Sequence, residues 1–196
     1  MVRNVHGMLH KALADAVRGG RLVRNAADAA DQLRKSSPEM QVWTPEEMRR
    51  VLEHVRDDRL FAAWQLLATT GMRRGELLGL RWADVDLEPG SLAIRQVRTA
   101  VNVETGTPKT HKGSRTVSLD PATVAAVRTH RRQQNEERLV WGGAWTETGL
   151  VFVRPDGEAI HPQRLSQWFA QHVRRAGLPR IRLHDYADLR VMPTSA

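Results

Sequence analysis

Apolar positions along this chain recur first at helical spacing, then at the two-residue spacing of strands, then at helical spacing again. Val5, Met8, Leu9, Ala12, Leu13, Ala16 and Val17 fall at i, i+3, i+4 intervals and predict a helix that buries this stripe, closed by Gly19-Gly20. Ala26 to Leu33 predicts a short helix, and Arg34-Lys35-Ser36-Ser37-Pro38-Glu39 reads as a polar, proline-bearing linker. Thr44-Pro45-Glu46-Glu47 carries three helix-start signals: Thr44 can cap, Pro45 suits the first helical position, and Glu47 can complete a capping box. Met48, Val51, Leu52 and Val55 then supply a buried face. A further helix carries Phe61, Trp64, Leu67 and Ala68 on one side, which makes its aromatics core residues rather than base-stacking groups.

The period changes after residue 81. Trp82 to Leu87 alternates as a strand, Glu88-Pro89-Gly90 turns, Leu92, Ile94 and Val97 continue as a strand, and Thr116 to Leu119 forms a third. Asp120-Pro121 caps a long helix reaching Val140, with an exposed Arg131-Arg132-Gln133-Gln134 face. Leu150 to Val153 and Glu158 to Ile160 flank Pro155-Asp156-Gly157 as a short hairpin. His161-Pro162 opens another helix with Leu165, Trp168, Phe169, His172 and Val173 on one side, ended by Arg174 to Gly177. Internal repeats and low-complexity tracts are absent from the sequence.

Length and charge narrow the function. A chain of 196 residues that is 41% hydrophobic has room for one sizeable domain and part of another. Thirty Lys and Arg against 22 Asp and Glu give a net charge of +8 and a pI near 11.0, which favours a polyanionic partner, nucleic acid first. No apolar run approaches the roughly 18 residues of a membrane span, and Met1 to Lys11 lacks a signal-peptide core. The absence of cysteine fits a reducing interior, so the expectation is a cytoplasmic, DNA-facing protein with no membrane role. His6 and His10 lie four apart without an evident third ligand, and read as ordinary histidines rather than a metal site.

The candidate chemistry concentrates in Ala68-Thr69-Thr70-Gly71-Met72-Arg73-Arg74-Gly75-Glu76-Leu77-Leu78-Gly79-Leu80-Arg81-Trp82. Gly71 can end one helix in the left-handed conformation, and Met72, Leu77, Leu78 and Leu80 bury a second, short one. An arginine in its first turn is held against packed side chains and suits two-point contact with a phosphate. The competing reading is a solvated arginine pair balanced by Glu76.

The stretch from Thr70 to Trp82 resembles the first arginine box of the tyrosine recombinases, the phage-integrase family. The resemblance matches Arg73 to the family's first catalytic arginine and Glu76 to the acidic residue that supports it. Thr107 to Arg115 resembles the family's basic β-hairpin, in which a lysine enters the active site; Lys109 matches it, with Lys112 second. Arg74, Lys112 and Arg115 are the expected additional DNA contacts. Residues 178 to 185 resemble the lead into the second box, His-x-x-Arg, with His184 as its histidine. Position 187, where the arginine belongs, is Ala187, and Asp188-Leu189-Arg190 follows it.

The resemblance implies a mixed, mainly α fold: helices around a small antiparallel sheet with a basic hairpin, preceded by part of a helical core-binding domain. The expected division is 1–35 for that remnant, 36–43 for the linker and 44–196 for a catalytic domain incomplete at its carboxy end, so that the chain is expected to be truncated at both ends. It further implies DNA recombination and integration through a phosphotyrosyl intermediate, without metal or other cofactor, on double-stranded DNA at attachment-like sites and alongside other recombinase protomers. The lone tyrosine, Tyr186, stands two residues after His184 and away from the family's nucleophile position. A truncated, catalytically impaired copy is expected. Asp185-Tyr186-Ala187 is the order that codons for Asp-Leu-Arg such as GAC-CTA-CGC give on losing one C, so a frameshift is one origin of this ending, beside precise excision, truncation at a mobile-element junction or a sequencing error. A non-catalytic module that occupies recombination sites and an unstable pseudogene product are the alternatives.

Overall fold

A computed structural model describes residues 2–29, 43–99, 115–183 and 186. The chain divides into two compact units, Met1–Met40 and Gln41–Ala196.

In the first unit, α1 (Val2–Arg18) runs to a turn in which Gly20 takes a φ of 70°, and a 3-10 turn follows at Ala26–Ala29. The His10 ring meets the Asp28 carboxylate at 2.8 Å, and the Asn25 amide donates to the His10 carbonyl at 3.1 Å, holding the turn on the helix. The expected burial of the stripe fails for Val5, Met8 and Leu9, which remain exposed. Of the expected helix at 26–33, the described part is that 3-10 turn. No group of three potential metal ligands occurs among the described residues.

The second unit opens with α2 (Pro45–His54), α3 (Phe61–Thr70) and α4 (Arg74–Gly79). Thr44 and Glu47 form the expected capping box on α2: the Thr44 hydroxyl accepts from the Glu47 amide at 3.2 Å, and the Glu47 carboxylate accepts from the Thr44 amide at 2.8 Å. Strands β1 (Val85–Asp86), β2 (Ser91–Ile94) and β3 (Arg115–Ser118) make an antiparallel sheet in the order β1-β2-β3. Leu92 pairs with Val85 on one side and Val117 on the other. Residues 100–114, which join β2 to β3 and contain Lys109 and Lys112, lie outside the described residues.

Two long helices complete the unit: α5 (Pro121–Trp141), capped by Asp120 accepting from the Thr123 amide, and α6 (Pro162–Arg175), capped by the His161 ring accepting from the Gln163 amide. The core joins Trp64, Leu66 and Leu67 of α3, Leu77 and Leu78 of α4, Leu92, Val127, Phe152, and Leu165 and Phe169 of α6. Phe61 is partly buried against it, so the aromatics of α3 are packing groups as expected. No helix among the described residues is long and apolar enough to cross a membrane.

Three local expectations change, all around one contact. Residues Trp82–Asp84 form a 3-10 turn, and only Val85–Asp86 pairs as a strand. The Trp82 indole donates to Gln134 at 2.5 Å, and Gln134 donates in turn to the Val151 carbonyl at 3.1 Å. Gln134 is therefore buried rather than part of an exposed face. Leu150 bridges to Arg81, and the Val151 amide donates to the Leu80 carbonyl at 2.9 Å, so half of the expected 150–160 hairpin pairs with the chain after α4. What remains of that hairpin is a single bridge between Val153 and Ala159.

Candidate active site

The turn between α3 and α4 is built from local chemistry. The Thr70 hydroxyl donates to the Leu66 carbonyl at 2.6 Å and accepts from the Met72 amide at 3.3 Å, while Gly71 adopts a φ of 65°. That left-handed residue stops α3 and lets the chain restart as α4 only three residues later. Met72, Leu77 and Leu78 are fully buried, so α4 is nailed to the core along one side. Arg73 occupies the N-cap with extended backbone (φ −69°, ψ 149°), and its side chain is 73% exposed.

Glu76 is the centre of a charged cluster that the local sequence only half announces. Its carboxylate, 4% exposed, accepts from the Arg73 amide at 2.9 Å and from the Arg73 guanidinium at 3.3 Å. Arg115, at the start of β3, grips both carboxylate oxygens, at 3.1 and 2.9 Å. Burial by itself would raise the Glu76 carboxyl pKa. The Arg115 hydrogen bonds, then the Arg73 amide and both guanidinium charges, outweigh it and hold the group below the usual carboxylate range. Glu76 thus stays ionised, caps α4 and fixes Arg115 from a strand 39 residues away.

The glycines of α4 have a packing reason. A Cβ on Gly75 would sit 2.8 Å from both the Arg98 carbonyl oxygen and Val97 Cγ1, and one on Gly79 would sit 3.0 Å from the Gln96 carbonyl oxygen. The chain after β2 lies flat on this bare face: the Arg98 amide donates to the Gly75 carbonyl at 2.8 Å, and the Gln96 side chain donates to the Gly79 carbonyl. The segment that leads toward Lys109 is therefore anchored on the same helix that carries Arg74.

Opposite α4 stands a second wall. A cleft of about 580 Å³ is lined by Arg73, Arg74, Gln163, Ser166, Arg180 and Arg182 among others, and none of its described lining residues is acidic. The Arg74 guanidinium donates to the Ser166 hydroxyl at 2.6 Å, tying α4 to α6 across it. Leu183, next to His184, lines the same cleft, so the first box and the lead into the second meet there. His184 itself, like Lys109 and Lys112, lies outside the described residues.

Residues 41–190 match the model of the phage integrase family. The chain belongs to this family. A XerC-like tyrosine recombinase of Caldanaerobacter subterraneus is 31% identical over 164 residues, covering 76% of this chain and 42% of the relative. The ICEBs1 integrase of Bacillus subtilis is 26% identical, covering 94% of this chain and 51% of that protein. The chain thus spans about half the length of the curated relatives it matches. Among solved structures, the Tn1549 transposon integrase in complex with transposon right end DNA superposes with a TM-score of 0.76 at 20% identity, over 96% of this chain and 64% of that one. A lambda integrase dimer bound to a core site superposes with a TM-score of 0.63 at 18% identity, covering 95% and 63% respectively. The tyrosine-recombinase catalytic fold expected from the arginine box is the fold observed.

The phage-integrase chemistry needs a reactive tyrosine, and Tyr186 is not placed for it. Its ring is fully buried, 4.9 Å from the Phe169 ring and 5.8 Å from the Trp43 ring between centroids. Its hydroxyl donates to the Trp64 carbonyl at 3.2 Å, and burial pushes its pKa far above the usual phenol value. A nucleophile must be reachable and readily deprotonated, and this hydroxyl is neither. Sequence reasoning missed the Glu76–Arg115 clamp and the placement of Arg180 and Arg182, since neither is visible in local spacing.

Proposed function

We propose that this chain is the phosphate-binding catalytic portion of a site-specific tyrosine recombinase, acting in DNA integration and recombination. The single observation that carries this reading is a cleft whose charged lining residues, as described, are all arginines, with Arg73 among them held by Glu76. In this mechanism the DNA backbone enters the cleft, and Arg73 stabilises the negative charge that gathers on the non-bridging oxygens in the transition state. Glu76 positions Arg73 through two hydrogen bonds, and its hold on Arg115 steadies the first residue of β3. Lys109 protonates the leaving 5′-oxygen as general acid, with Lys112 as a backbone contact, and His184 donates to the phosphate. Arg74 and Arg115 complete the positive surface that neutralises phosphates. Residues 1–35 act as part of the core-binding domain, 36–43 as linker and 44–196 as catalytic domain. No metal or cofactor takes part.

With Tyr186 buried, these 196 residues alone bind and polarise a phosphodiester without cutting it, and the attacking tyrosine comes from another source such as a neighbouring protomer. Two comparisons support DNA and protomers as partners: the Tn1549 integrase complex contains DNA, and the lambda integrase is a DNA-bound dimer. The same burial favours a second reading, a non-catalytic module that occupies recombination sites. Binding and strand transfer on attachment-like duplexes selected from a random pool separate the two. Arg73→Ala should weaken binding roughly 10- to 100-fold, the scale of one hydrogen-bonded charge contact, with little change in thermal stability. Strand transfer on adding a tyrosine-bearing recombinase protomer supports the first reading, and none under any pairing supports the second. Unchanged affinity in Arg73→Ala rejects the phosphate role of the cleft.

A further inference from the structure

The segment 178–183 is built as a rigid rail. Leu178, Ile181 and Leu183 are buried, while Arg180 and Arg182 are exposed and line the cleft. Both ends are pinned. The Trp43 indole donates to the Pro179 carbonyl at 2.9 Å, and the Tyr186 amide donates to the Arg182 carbonyl at 3.0 Å, with the Tyr186 ring locked between Trp43 and Phe169. The two arginines on this anchored backbone line the same cleft as Arg73 and Arg74. The charged residues among the described lining of the cleft are these four arginines.

We propose that Arg180 and Arg182 form a second phosphate-binding wall, gripping the DNA backbone from the side opposite Arg73. This rests on the reading of the cleft as the DNA-facing site. It assigns a role to two residues outside both boxes, in a chain whose position 187 is alanine rather than the arginine of the second box. Charge held on a pinned backbone loses little freedom on binding, so each contact is made at small entropic cost. The two arginines sit two residues apart, both exposed, with the buried Ile181 between them.

The test is fluorescence anisotropy of the 196-residue protein with a labelled 30-base-pair duplex of random sequence, titrated across a series of NaCl concentrations. Wild type is compared with Arg180→Gln, with the pair Arg180→Gln and Arg182→Gln, with Arg180→Lys, with Arg73→Gln, and with Arg49→Gln as a control. Arg49 is 70% exposed on α2 and paired with Glu46, away from the cleft lining. Each lost phosphate contact should shrink the slope of log affinity against log salt by about one. The double variant should therefore lose about two units of slope, Arg180→Gln about one, and Arg180→Lys and Arg49→Gln close to none. A wild-type slope in the double variant alongside a reduced slope in Arg73→Gln overturns the second wall and leaves the cleft reading standing. Wild-type slopes in both overturn the cleft reading itself. Arg180→Gln removes one exposed side chain, so its slope decides the matter even if the double variant unfolds.

Discussion

Replacing Glu76 with glutamine keeps the shape of the side chain and removes the charge that four donors share. The amide oxygen of a glutamine can still accept from the Arg73 amide, as a residue at that capping position should. The new NH₂ group would then replace Oε1, which now accepts from the Arg115 guanidinium at 3.1 Å and from the Arg73 guanidinium at 3.3 Å. Two charge-assisted hydrogen bonds are lost, each about 1.5–3 kcal/mol before solvent is counted. Arg115 is 39% exposed and Arg73 73%, and both rehydrate when released, which trims the total loss to about 2 kcal/mol. For a chain of this size that corresponds to a fall in Tm of roughly 4–8 °C.

The pH dependence gives the charge its own signature. The folded Glu76 carboxyl lies below its usual range, so its contribution is fully present above the unfolded value and is lost as pH falls through the folded one. The Tm difference between wild type and Glu76→Gln should be constant from neutral pH down to about pH 5 and then shrink below about pH 4. Scanning calorimetry or circular dichroism melts at a series of pH values measure both quantities. A Tm gap under about 1 °C at neutral pH, against the per-kcal scale above, would falsify the claim that this carboxylate organises the cluster. So would a gap that persists unchanged at acid pH.

Two further substitutions test the packing around the site. Gly75→Ala gains about 1 kcal/mol of helix propensity but drives a Cβ to 2.8 Å from backbone and side-chain atoms of residues 97 and 98. Overpacking of this kind costs about 1–3 kcal/mol, so the net effect should be a loss, with faster hydrogen exchange at the Arg98 amide; a gain in stability refutes the tight approach. Tyr186→Phe should cost about 1 kcal/mol through the lost bond to the Trp64 carbonyl and leave DNA affinity unchanged. In wild type, the phenol should stay protonated in the native state above about pH 10, so stability falls as pH rises past the unfolded value; tyrosinate absorbance appearing before unfolding contradicts the burial.

How far the sequence could be read depended on the range of the interaction involved. Thr44-Pro45-Glu47, Gly71 and Asp120-Pro121 each act within one turn of backbone, and each caps or stops a helix where the spacing predicts. Trp82 and Gln134 were misread for the opposite reason. The alternating pattern at 82–87 suits a strand and the polar run at 131–134 suits solvent, but an indole–amide bond across 52 residues accompanies the burial of Gln134 and the packing of a partly buried Trp82 against the core. Leu150 likewise left its expected hairpin because the chain after α4 offered unpaired backbone groups closer to hand. In the candidate site, Arg73 and Glu76 were legible as neighbours four positions or fewer apart, whereas the Arg115 grip on Glu76 depends on how β3 folds back.

Local pattern and composition therefore determined the helical character, the small sheet, the positive charge and the arginine box, because propensity, capping and net charge are properties of short segments. Tertiary structure alone decided which arginines line one cleft, which polar groups are buried, and that Tyr186 is a core residue. Those outcomes arise from contacts between segments tens of residues apart, whose energy depends on the three-dimensional register of α4, β3, α6 and residues 178–183 rather than on any spacing along the chain.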